Sequence, residues 1–196
     1  MKFKIFGTEI QITFLFMAFI TLLLAVDKSG YAIPMLFAVT AHEAAHLVTM
    51  CLLGCNPKAI MLIPASVRIV RDISYKTKNE VLISISGPLI NLFFFALFYI
   101  VFILFKNENI LTFAIINLII GVFNLLPVNA LDGGVVLKKI LMLIFKENKA
   151  NIILNIITVL IGIVIFVLGV FLVLNSRNFS LIIISLYLLI SVLLKL

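Results

Sequence analysis

The chain has 196 residues, 64% of them hydrophobic and only 12% charged, with a mean hydropathy of +1.33 and a net charge of +7. A soluble domain averages roughly 45–50% apolar residues, so the composition excludes an ordinary soluble domain and points to the membrane class. The basic excess sits in short segments between apolar runs, so the expected partner is the lipid bilayer and not nucleic acid.

Residues 10–26 form the first apolar run. Lys2 and Lys4 ahead of it imitate a signal peptide, but the run is long for one and no small-x-small cleavage site follows. It reads as a retained transmembrane helix. The second run, 31–55, carries "TAHEAAHLVTM" and ends with Cys51 and Cys55. Four apart on one helix, these cysteines would share a face as packing side chains, since a disulfide there would strain the helix. Loop 56–80 includes "SVRIVRDISY", whose near-alternating β-branched residues predict a strand or hairpin. Such a segment at the membrane surface offers an edge for an extended peptide, with a plain basic connector as the alternative. Further runs follow at 81–105, 110–128, 152–174 and 179–195.

The expected fold class is therefore all-α, a polytopic membrane protein with about six transmembrane helices and a short β-prone loop at the cytoplasmic membrane surface. Each run is near the roughly 20 residues a span needs. With six spans, twelve of the fifteen basic residues fall on the side holding both termini, loop 56–80 and loop 129–151. That asymmetry predicts both termini in the cytoplasm. A single domain, 1–196, is expected, with a catalytic core of about 31–134 and accessory helices at 10–26, 152–174 and 179–195. No C-terminal regulatory domain is expected.

Within the second run, His42, Glu43 and His46 form HExxH. One helical turn separates the two histidines, so both imidazoles face one way and can share a tetrahedral metal ion. Glu43 lies roughly 100° round the helix, near enough to take a proton from activated water. The chain has only these two histidines. Ionisable groups are costly inside lipid, and a metal site accounts for all three at once.

A catalytic zinc needs a third protein ligand. Glu9, Asp27, Glu80, Glu108 and Glu147 lie at span ends or in loops, and Asp72 sits beside Arg71, where a solvated ion pair fits. Asp132, in "NLLPVNALDGG", follows a helix broken by Pro127 and precedes Gly133 and Gly134. Irregular backbone at membrane depth is tolerated where protein covers it or it lines a wet cavity. Asp132 is the best candidate ligand; its alternative role is N-cap to "VVLKKILMLIF". Asn124 and Asn129 are candidates to hydrogen-bond a substrate backbone or developing oxyanion, with interhelical hydrogen bonding the equal alternative. Asn91 is another polar group near the proposed cleft, and Asn117 reads as structural. Gly87 and Pro88 suggest close packing and a bend in the third span.

HEAAH at 42–46, "SGPLIN" at 86–91 and "NLLPVNALDGG" at 124–134, in that order, resemble the site-2 protease family of intramembrane zinc metalloproteases. The resemblance implies His42, His46 and Asp132 as zinc ligands, Glu43 as catalytic base, and cleavage of a membrane-embedded or membrane-associated protein in extended form. The six-span layout is similar to the bacterial sporulation branch. That implies a sigma-factor precursor as substrate, inhibitory membrane-protein partners and the bacterial cytoplasmic membrane. Related members often carry a nucleotide-sensing domain after the last span; none is expected here, which puts control by ATP in doubt. One rival is a metal-binding or transport protein without proteolytic turnover. It would need polar groups aligned through the other spans, and the first, fifth and sixth runs offer almost none. A prenyl-processing type of protease would need a downstream glutamate ligand, and Glu80, Glu108 and Glu147 lack a supporting helical motif.

Overall fold

The computed structural model describes residues 2–5, 8–55, 57, 59–63, 66–70 and 76–193, so Asp72 and Arg71 lie outside the described residues. Seven helices and four strands are present among them, in two compact units, Met1–Gly121 and Val122–Leu196.

The first unit begins with strands β1 (Lys2–Ile5) and β2 (Thr8–Ile12), then helices α1 (Phe14–Val26) and α2 (Ala32–Leu52). Strands β3 (Ala59–Ile63) and β4 (Ser66–Val70) follow, then helices α3 (Thr77–Phe105) and α4 (Glu108–Asn124), the last of which runs into the second unit. The strands make one sheet in the order β1-β2-β3-β4, with β2 and β3 parallel and the outer pairs antiparallel. The N-terminal strands were not expected. "TEIQI" alternates with period two, as a half-buried strand does, but its apolar residues run straight into the first apolar helix. Thr13 marks the boundary: its Oγ1 accepts from the Phe16 amide at 3.2 Å, capping α1 four residues later than expected.

Asp27 joins α1 to α2. One carboxylate oxygen accepts from the Ser29 amide and hydroxyl, and the other from the Ala32 amide at 2.8 Å. The Ser29 hydroxyl first, then the Ala32 amide, hold this exposed carboxyl below its ordinary pKa.

The end of α2 corrects the reading of the cysteines. Gly54 takes φ +66 and the Cys55 amide returns to the Met50 carbonyl at 2.8 Å, a glycine stop that removes Cys55 from the helix. Cys51 is exposed, whereas Cys55 is buried with Met50 and Ile83. Nothing lies within 4 Å of where a Gly54 Cβ would be, so Gly54→Ala isolates the backbone term. It should cost about 1–2 kcal/mol, read as a lower thermal midpoint; an unchanged midpoint would show that this cap contributes nothing.

Close packing of α2 on α3 runs through small residues. Ala38 is fully buried, and so are Pro88 and Asn91 on α3. Beyond them Phe37 meets the rings of Phe94, Phe98 and Phe113 edge-on, with centroids 5.0–5.9 Å apart.

The second unit contains the turn 125–131, α5 (Asp132–Ile144), α6 (Glu147–Ser176) and α7 (Ser180–Leu193). The span expected at 110–128 thus stops as helix at Asn124, and the loop expected at 129–151 is mostly helical. α6 packs on α7 where Gly162 meets Leu189 and Gly169 meets Ile182, small residues admitting close approach.

α2, α3 and α6, with 21, 29 and 30 residues, are long and apolar enough to cross a membrane; α1, α4 and α7 are shorter apolar helices. Leu104 at 71% and Leu174 at 79% exposure typify surfaces that water would penalise and lipid does not. The chain is an integral membrane protein.

Candidate metal centre

His42 and His46 project from α2 and are only 6% and 7% exposed. Their Nε2 atoms stand 3.1 Å apart. The Nδ1 of His46 lies 2.7 Å from the Ile83 carbonyl oxygen. A carbonyl can only accept, so His46 Nδ1 carries the proton. The Nδ1 of His42 lies 2.7 Å from Asn91 Oδ1. The orientation of that amide is fixed, because Asn91 Nδ2 donates to the Ala38 carbonyl at 2.9 Å and to Asn117 Oδ1 at 3.0 Å. Asn91 therefore presents its oxygen, and His42 Nδ1 also carries a proton.

With both protons on Nδ1, the two Nε2 atoms turn their lone pairs toward one another, as two imidazoles sharing one cation would. Two nitrogens at about 2.0–2.1 Å from a tetrahedral zinc would stand roughly 3.3 Å apart, close to the 3.1 Å found. The backbone opposite leaves the space. A Cβ on Gly87 would come within 2.5 Å of His46 Nε2 and 2.7 Å of His42 Nε2, so a side chain there would fill the cradle. The donors and the space fit zinc.

Pro88 follows Gly87 and withdraws one backbone donor from the middle of α3. The nearby Ile83 carbonyl accepts from Ser86 Oγ at 2.7 Å as well as from His46. Glu43 is half-buried on α2 next to His42.

Asp132 is half-buried at the first position of α5 in the second unit. The N-cap position of that helix is taken by Leu131, and Asp132 follows it as the acidic residue of the first turn. Gly133 and Gly134 sit directly against the carbonyls of Leu125, Leu126 and Val128, where any Cβ would overlap them. That close approach explains the glycine pair. Asn124 ends α4 and is half-buried. Asn129, in the turn, hydrogen-bonds to α6, from Nδ2 to Asn155 Oδ1 and from its amide to Thr158 Oγ1.

Sequence reasoning missed several groups. Ile83 contributes only a carbonyl, which no side-chain pattern reveals. Asn155 and Thr158 are two polar residues in a long apolar run, and that contrast was the signal available. Asn117, read as structural, supports Asn91 and through it His42.

Hydrogen-bond partners of metal-bound histidines are worth roughly 10–100-fold in metal affinity. Asn91→Leu should weaken zinc binding by about that factor, measured by chelator competition. Asn91→Asp should not rescue, because its second oxygen would face the Ala38 carbonyl. Wild-type affinity in both variants would refute the tautomer argument.

Comparison with known proteins points the same way. The family model described as Peptidase family M50 matches residues 105–169, a stretch holding Asn124, Asn129 and Asp132 but not the histidines. The chain is 27% identical to a zinc metalloprotease of Methanocaldococcus jannaschii, over 94% of this chain and 57% of that protein. It thus spans somewhat more than half the length of this curated relative. It is also 26% identical to the solved site-2 protease from Methanocaldococcus jannaschii, with a TM-score of 0.70, covering 98% of this chain and 93% of that one.

Proposed function

We propose that this relative of the site-2 proteases, peptidase family M50, is an intramembrane zinc endopeptidase that hydrolyses peptide bonds of a membrane-embedded or membrane-associated protein. The observation that carries the reading is the pair of buried, lone-pair-bearing Nε2 atoms 3.1 Å apart on an apolar helix.

His42, His46 and Asp132 are the proposed ligands, two imidazoles and a carboxylate, each offering one ligand atom. Three protein ligands with a fourth position open is the pattern of catalytic zinc. Zinc bound there supplies Lewis acidity, polarising the scissile carbonyl and acidifying water toward neutral pH. Asn91 and the Ile83 carbonyl hold the imidazoles in one tautomer and one orientation. Glu43 takes the proton of the attacking water on a carboxylate oxygen and passes it to the leaving amine nitrogen. Asn124 is the proposed donor to the substrate backbone or the developing oxyanion. Asn129 is the second proposed donor: one of its two Nδ2 protons goes to Asn155, which leaves the other for substrate.

Six crossings with both termini in the cytoplasm is the proposed topology, supported by the distribution of basic residues. A sigma-factor precursor as substrate has no support beyond the layout of apolar runs. Binding or transport without turnover is disfavoured, because Glu43 has no role in it.

The test uses the purified full chain in detergent, with zinc content and cleavage of a membrane-tethered substrate measured together. Wild type should hold about one zinc, as a single three-ligand site requires, and cleave. Asp132→Ala should lose both. Full zinc occupancy in Asp132→Ala would remove that residue from the ligand set.

A further inference from the structure

The turn 125–131 has an unusual supply of backbone partners. Pro127 has no amide proton, and the Leu125, Leu126, Val128 and Leu131 amides bond within the turn or to the end of α4. The Asn129 amide is instead donated to α6, reaching Thr158 Oγ1 at 3.1 Å. The Thr158 hydroxyl gives its own proton to the Leu154 carbonyl at 2.9 Å, which turns an oxygen lone pair toward Asn129. One turn earlier on the same face of α6, Asn155 Oδ1 accepts from Asn129 Nδ2. Thr158 and Val128 are fully buried, and Leu154 is 2% exposed. On its other side the turn rests against α5, with the Val128 carbonyl on Gly134 and the Leu125 and Leu126 carbonyls on Gly133. The segment before Asp132 is therefore gripped from both sides, and Asn129, three residues before Asp132, is held at two atoms.

α6 is otherwise strongly apolar, with a hydropathy of 3.3 over its membrane window. Two polar side chains there, both committed to one residue of the turn, are a specific expense in lipid. We infer that Thr158 and Asn155 are positioning residues: they fix the turn that aims the Asp132 carboxylate, so that α6 belongs to the metal-binding core. Neither touches the metal or substrate. The inference rests on Asp132 being a ligand, and it extends the core beyond residues 31–134.

The experiment uses the full chain in detergent and the variants Thr158→Val, Thr158→Ser, Asn155→Leu and Asp132→Ala. It measures zinc affinity by chelator competition, thermal stability of the zinc-free protein, and hydrogen exchange of the Asn129 amide without zinc. Thr158→Val keeps the shape and deletes the acceptor. It should speed exchange at Asn129 and weaken zinc binding by roughly 10–100-fold. Thr158→Ser restores the hydroxyl and should restore both properties. Asn155→Leu should weaken zinc binding likewise, and it decides the matter if Thr158→Val does not fold. Zinc affinity unchanged in Thr158→Val and Asn155→Leu would overturn the inference, even with lower apo stability, because that pattern is helix adhesion alone. Wild-type zinc affinity in Asp132→Ala would instead overturn the ligand assignment on which the inference stands. The exchange result at Asn129 separates that failure from failure of the α6 contacts themselves.

Discussion

Glu43→Gln is expected to retain zinc and to lose cleavage by roughly 10²–10⁴-fold, the usual contribution of a positioned general base. The substitution keeps the shape of the side chain and its hydrogen-bonding reach, but an amide cannot accept and return a proton at pH 7. Zinc occupancy should hold, because the lone pairs that converge belong to His42 and His46. Metal content and turnover must be measured on the same preparation. Near-normal cleavage would remove Glu43 from the chemistry. Loss of zinc would make Glu43 a ligand and reopen the place given to Asp132.

Gly87→Ala should be nearly as damaging, for a steric reason. Its Cβ would stand 2.5, 2.6 and 2.7 Å from His46 Nε2, His46 Cε1 and His42 Nε2. Side-chain tips can often swing away, but these rings are each pinned at Nδ1 by a 2.7 Å hydrogen bond. Either the rings move and lose those bonds, or the methyl occupies the space the ion needs. Zinc affinity should fall at least as far as for loss of a supporting partner, about 10–100-fold, and cleavage with it. The zinc-free protein should lose stability too, because displacing the buried rings breaks their Nδ1 hydrogen bonds at about 1–3 kcal/mol each, more than the about 1 kcal/mol by which alanine is favoured over glycine inside a helix. A variant that binds zinc normally would show that the cradle lies elsewhere. Unchanged zinc-free stability would mean that the rings swing aside without losing their hydrogen bonds.

The proposed ligands are more legible in the sequence than the groups that hold them. His42 and His46 announce themselves by spacing on an apolar helix, and Asp132 by its place after a broken one. The supports are harder to see. Gly87 reads as helix packing until the imidazoles opposite are located, because a missing side chain leaves no trace of what it makes room for. Asn91 and Asn117 are distant in sequence, and only the packing of α3 and α4 brings their amides together. For the fold, apolar runs reveal helices but blur their ends. Thr13 and Gly54 set two of those ends by local hydrogen bonding, and an apolarity argument passes over both. β1 and β2 were hidden because a short alternating strand abuts a helix apolar throughout.

The parallel pairing of β2 with β3 has a consequence for how the chain is assembled as it is synthesised. The β1–β2 pair closes locally, with Ile5 opposite Thr8, and so does β3–β4, with Ile63 opposite Ser66. Joining the two pairs sets Glu9 beside Ala59, across a stretch containing both α1 and α2. Distant strand pairing of this kind is slower than local closure. The N-terminal hairpin must therefore wait with an unpaired edge while the helix bearing both histidines is made and delivered to the bilayer. A nascent chain shortened by its first twelve residues would still make α2, but would leave β3 as the open edge, inviting association with other chains.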